Sequence, residues 1–113
     1  MINEKIVSDQ VGSNFGSSAV SYNTSLGTVS DPNLYKVGRI CVFSVIFSRT
    51  STSTNAHLAT VDSSLAPPVR FNLSCDRYGE TSGGECYIGR DGKIIMANSQ
   101  TGDFKISGTW ITV

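Results

Sequence analysis

Apolar and polar positions alternate with a period of two along much of this chain. In positions 69–75, Val69, Phe71, Leu73 and Cys75 alternate with Arg70, Asn72 and Ser74. That pattern predicts a strand with its apolar set turned inward. Positions 104–113 alternate as well, with Gly108 marking an expected bulge. Positions 19–24 and 57–61 predict two shorter strands. The strongest turn signal is Asp91-Gly92, flanked by Cys86-Tyr87-Ile88 and Ile94-Ile95-Met96. It predicts a two-residue type I′ hairpin pairing Arg90 with Lys93, Gly89 with Ile94, Ile88 with Ile95 and Tyr87 with Met96. Positions 37–47 break the alternation. Cys41, Phe43, Val45 and Phe47 fall on one face, Ile40, Val42 and Ile46 on the other, and both faces are apolar. An antiparallel strand with one wet face alternates, so this one is covered twice, either by the chain's own loops or by a second subunit.

Between these segments, Ser30-Asp31-Pro32-Asn33 reads as a turn, 48–54 as a Ser/Thr loop carrying Arg49, and 64–68 as irregular around Pro67-Pro68. Residues 76–85 read as a long polar loop. Residues 1–20 are polar and Gly/Ser-spaced and read as a linker or stem, leaving 21–113 as one domain. The expected core holds Val69, Phe71, Leu73, Ile88, Ile94 and Ile106, with Trp110 beside them.

Composition narrows the function. Nine basic and nine acidic side chains balance, without the basic stripe of a nucleic-acid binder or a membrane-surface helix. The chain has no apolar run of about 18 residues, as a transmembrane helix needs, and Met1-Ile2-Asn3-Glu4-Lys5 lacks the order of a signal peptide. Three cysteines, Cys41, Cys75 and Cys86, with no Cys-x-x-Cys pair, argue against a zinc site and for reduced, packed thiols. Cys75 and Cys86 flank the polar loop and fall on neighbouring strands. No cofactor is expected, since neither Gly-x-Gly-x-x-Gly nor a P-loop occurs. One histidine, no Gly-x-Ser-x-Gly elbow, and carboxylates gathered in a single loop (Asp76, Glu80, Glu85) predict a non-enzyme.

The order of these features resembles the C-terminal receptor-binding domains of bacteriophage tail-fibre and baseplate proteins. The likeness rests on a Val-Gly-Arg-hydrophobic strand at 37–47, Leu58-Ala59-Thr60-Val61, a Leu-x-Pro-Pro-hydrophobic turn at 65–69, Ile88-x-x-Asp91-Gly92-x-Ile94, and a Trp-containing last strand. Where family members often carry Gly-Tyr/Phe-Arg-Pro, this chain has Ala66-Pro67-Pro68-Val69-Arg70. The resemblance implies an antiparallel jelly-roll β-sandwich that forms homotrimers. It implies a place at the tail or baseplate tip of a virion assembled in the host cytoplasm, beside other tail proteins, and binding to host-surface saccharide. The trimer interface then draws on Ile40, Val42, Phe43 and Ile46. Planar, charged and aromatic side chains suited to a sugar are Arg49, His57, Asp76, Arg77, Tyr78 and Glu80. A structural fibre-tip protein without a ligand, and a secreted trimeric ligand or lectin of the tumour-necrosis-factor or complement type, are the alternatives.

Overall fold

The computed structural model describes residues 13–14, 19–78 and 84–112. They form β1 (Ser13–Asn14), β2 (Val20–Tyr22), β3 (Gly27–Val37), β4 (Ile40–Arg49), β5 (Ala56–Val61), β6 (Phe71–Arg77), β7 (Cys86–Ile88), β8 (Lys93–Met96) and β9 (Gly102–Ile111). A single 3-10 turn at Ser63–Leu65 leads into the proline segment. All the pairings are antiparallel, in the order β1-β3-β4-β9-β6-β7-β8-β5-β2, and the sheet folds over into a nearly closed sandwich. Of the expected linker, Ser13 and Asn14 pair with Lys36 and Tyr35, and Val20 belongs to the core.

β6 makes the fold-over. Phe71 to Leu73 pair with β7, whereas Ser74 to Arg77 pair with β9, so the strand leaves one layer for the other between Leu73 and Ser74. Gly108 sits at this fork. A Cβ there would lie 2.4 Å from Leu73 Cδ2, so Gly108 admits the crossing side chain. It is not the expected bulge, because β9 stays in register with β4 from Gly102 to Ile111.

The core lies between the layers. The inward residues of β4 (Cys41, Phe43, Val45 and Phe47) meet Leu34, Leu58, Ile88, Ile94, Met96, Phe104 and Ile106, all essentially buried. Each of the larger side chains contributes about 1.5–3 kcal/mol by leaving water. Trp110 is buried as expected, with its indole N–H donating to the Leu65 carbonyl at 2.7 Å, and Phe43 and Phe71 pack against its ring.

Several local expectations need correction. The 86–96 hairpin pairs Cys86 with Met96, Tyr87 with Ile95 and Ile88 with Ile94, one residue away from the expected register. The turn is Arg90-Asp91-Gly92, with the Gly92 N–H donating to Gly89 O and the Gly89 N–H to Lys93 O. Only Gly92 has positive φ, +84°, which is the three-residue loop closed by a glycine bulge. Gly92 also lies against β5, where a Cβ would come within 1.9 Å of Val61 O. Tertiary packing therefore selected the register.

Ser30-Asp31-Pro32-Asn33 is a bulge within β3 rather than a turn: three steps from Ser30 to Asn33 match two from Ile46 to Ser44. Pro32 has no N–H to give the ladder, and the extra residue takes it out of the pairing. Val69, expected inside, is 68% exposed, because Pro67-Pro68 delay the strand to Phe71. At the other end β6 runs on through Asp76 and Arg77, which were expected in the loop.

Candidate functional site

The residues expected to bind a ligand separate into three places. Arg49 ends β4 with its side chain turned inward and is 2% exposed. Its Nη1 donates to the main-chain oxygen of Asn98 at 2.7 Å and to Asn98 Oδ1 at 3.1 Å, and its Nη2 donates to Ser53 O. The guanidinium therefore braces the 50–55 and 97–101 loops from beneath. It is not the exposed loop residue expected, because the inward parity of Cys41, Phe43, Val45 and Phe47 carries on to position 49.

Asp76, Arg77 and Tyr78 follow one another at the end of β6. Asp76 is exposed and stands opposite Lys105, Arg77 is half-buried opposite Phe104, and the Tyr78 N–H donates to Asp103 O at 3.0 Å. Strand pairing holds this group more firmly than a long loop would. The Tyr78 side chain is 56% exposed. Glu80 lies outside the described residues.

His57 lies on the other layer, on the outer face of β5. It is half-buried, with Nε2 2.8 Å from Thr60 Oγ1. Register aligns it with residues that the sequence reading had not selected. Asn72 pairs with Tyr87, Tyr87 with Ile95, and Ile95 with His57, which makes one outward row across β6, β7, β8 and β5. The Arg70 guanidinium lies over the Tyr87 ring, 3.5 Å from its centroid, and ion-pairs with Glu85 at 2.6 Å. Both partners of that pair are more than half exposed, so the attraction itself adds little to stability. What it does is set a guanidinium, a carboxylate and a phenol ring side by side on the outer face of the sheet. Strand alternation already put Asn72 outward. The row stayed hidden because the expected hairpin register set Tyr87 opposite Met96.

On the opposite layer, the outer face of β3-β4-β9 carries a second feature. Tyr35 pairs with Val42 and Val42 with Thr109, while Val37 pairs with Ile40 and Ile40 with Ile111. Tyr35, Ile40, Val42 and Ile111 are 39–60% exposed, a cluster of large apolar side chains in water. Ile46 shares this face, half-buried beside Lys105. Phe43, grouped with them as an interface residue, is 1% exposed in the chain's own core, because consecutive strand residues face opposite ways. Next to Ile111, where β6 parts from β9, an apolar cavity of about 320 Å³ opens between Pro67, Pro68, Val69, Phe71 and Trp110.

No protein-family model and no curated protein matches this chain.

Proposed function

We propose that the chain is a non-catalytic adhesion module that binds saccharide on a host cell surface, as a bacteriophage tail or baseplate receptor-binding domain would. The observation that carries this reading is the row Asn72-Tyr87-Ile95-His57, with Arg70 lying over Tyr87 and paired with Glu85. A pyranose has apolar C–H patches and a rim of hydroxyls. Tyr87 and Ile95 offer apolar contact, and Asn72, Arg70, Glu85 and His57 offer donors and acceptors around it. The Asp76-Tyr78 group provides a second polar and aromatic cluster at the end of β6.

Assembly is the other half of the reading. The apolar cluster at Tyr35, Ile40, Val42 and Ile111 favours burial against further copies of the chain, in the trimer that the family resemblance implies. The crossovers that set β9 between β4 and β6, and β5 beside β8, are compatible with a jelly-roll wrap. Each sugar site is weak, on the order of millimolar, because few contacts repay the desolvation of polar groups. Three sites per trimer, repeated over a virion tip, raise the effective concentration enough for firm attachment. The apolar cluster taken alone favours the second reading, a structural fibre-tip protein whose surface only joins neighbours.

Titration of host-wall oligosaccharides separates the two. The unaltered chain binds, Tyr87→Ala and Arg70→Ala lose at least tenfold in affinity at unchanged melting temperature, and Arg77→Ala and Tyr78→Ala report on the β6 cluster. A folded assembly that binds no member of a broad glycan array leaves the structural reading standing.

A further inference from the structure

Cys75 and Cys86 form the one cluster of nucleophilic side chains among the described residues that the proposed function does not use. Cys86 opens β7 opposite Leu73, and Cys75 stands two residues beyond Leu73 on β6, just past the point where the strand turns to β9, with its side chain also in the core. Both are free, buried thiols, and each acts on the other's titration. They differ in access: Cys75 is 7% exposed, while Cys86 is 1% exposed. The buried guanidinium of Arg49 acts electrostatically on Cys75, and its Nε has no hydrogen-bond partner among the described residues.

We propose that Cys75 and Cys86 are a reversible dithiol site that low-molecular-weight disulfides oxidise, with Cys75 attacking first and Cys86 resolving. The Cys75 thiolate attacks one sulfur of the disulfide RSSR, forms a mixed disulfide and expels RS⁻. Cys86 then gives up its proton and attacks the Cys75 sulfur, and a second RS⁻ leaves. The two protein thiols are oxidised, the external disulfide is reduced to two RSH, and the two thiol protons end on those products.

The division of roles follows from the surroundings. Interaction with Cys86 pulls the Cys75 thiol below its ordinary pKa against burial and the negative charge of Asp76, and the positive charge of Arg49 adds a smaller pull in the same direction. Cys86 is pushed up, first by that same interaction and then by burial, so it stays protonated until the mixed disulfide forms. Reversibility follows from the exchange chemistry, since a small thiol attacks the Cys75–Cys86 bond and releases both protein thiols by the same steps in reverse. Closing it ties the end of β6, which carries Asp76, Arg77 and Tyr78, to the start of β7.

The test is incubation of the native full chain with glutathione disulfide, followed by unfolding, alkylation and peptide mapping. The expected result is loss of two of the three alkylatable thiols, a mass lower by two hydrogens, a single Cys75–Cys86 cross-link, and full recovery with dithiothreitol. Cys86→Ala is expected to accumulate one glutathionyl adduct on Cys75, and Cys75→Ala to accumulate none. Three alkylatable thiols after prolonged incubation, or a cross-link that uses Cys41, overturns the proposal. The unaltered chain decides the question even where a variant does not fold.

Discussion

Arg49 separates a structural role from a ligand role most sharply. Its guanidinium makes three hydrogen bonds to Asn98 and Ser53, and no carboxylate lies among those acceptors. Arg49→Met keeps most of the stem's packing and removes every donor. A hydrogen bond to a charged group contributes about 1.5–3 kcal/mol, but losses within one cluster do not add. Water can reach oxygens on the flanking loops, and the cost of burying the charge is relieved, so the net loss falls to about 2–3 kcal/mol. Arg49→Ala adds a cavity and costs about 3–5 kcal/mol. Arg49→Lys keeps the charge without the planar fork and falls between wild type and Arg49→Met. At about 4 °C per kcal/mol, Arg49→Met melts roughly 10 °C below wild type. Urea titration is the assay: the midpoint moves while the slope stays constant. Sugar affinity of the remaining folded protein stays unchanged. A variant within ~0.5 kcal/mol of wild type that has lost the ligand refutes the bracing role and returns Arg49 to the binding site.

Two further outcomes follow from buried and exposed groups. The Tyr22 hydroxyl is buried without a partner among the described residues, and desolvation raises its pKa from 10.0 to about 12. The folded state thus favours the neutral phenol, so the stability associated with it is intact below pH 10 and is lost as pH rises from 10 toward 12. Tyr22→Phe removes that alkaline slope in pH-dependent denaturation and is neutral or slightly stabilising at pH 7; a slope that persists in the variant assigns it to another group. Ile40→Asp and Val42→Asp, at 46% and 43% exposure, change the stability of an isolated chain by only about 0.5 kcal/mol. In light scattering they convert the proposed assembly to monomer, whereas a wild type that is monomeric at micromolar concentration removes the interface.

Much of the all-β architecture was legible because side-chain parity is a local property. Period-two runs put Leu73, Ile106 and Trp110 inward, and the crowding of apolar residues on both faces at 37–47 predicted cover from the chain's own loops or a second subunit; among the described residues Ile40 and Val42 on its outer face stay exposed. The Asp91-Gly92 signal correctly located a hairpin. Its register was decided elsewhere, by the close approach of Gly92 to Val61 and the bond from the Val61 N–H to Gly92 O, contacts with a strand about thirty residues upstream. That single-residue shift is what aligns Tyr87 and Ile95 with Asn72 and His57. Arg49 was misplaced for a related reason. A Ser/Thr-rich run reads as exposed loop, but the polar acceptors that let an arginine be buried come from Ser53 and from Asn98, 49 residues away. The sequence by itself thus determined which residues alternate, where the 86–96 hairpin turns and how the charges balance, since each depends on neighbours a few positions apart. Register, the crossing of β6 between layers and the partners of buried polar groups depend on which distant strands meet, and only the tertiary structure decided them.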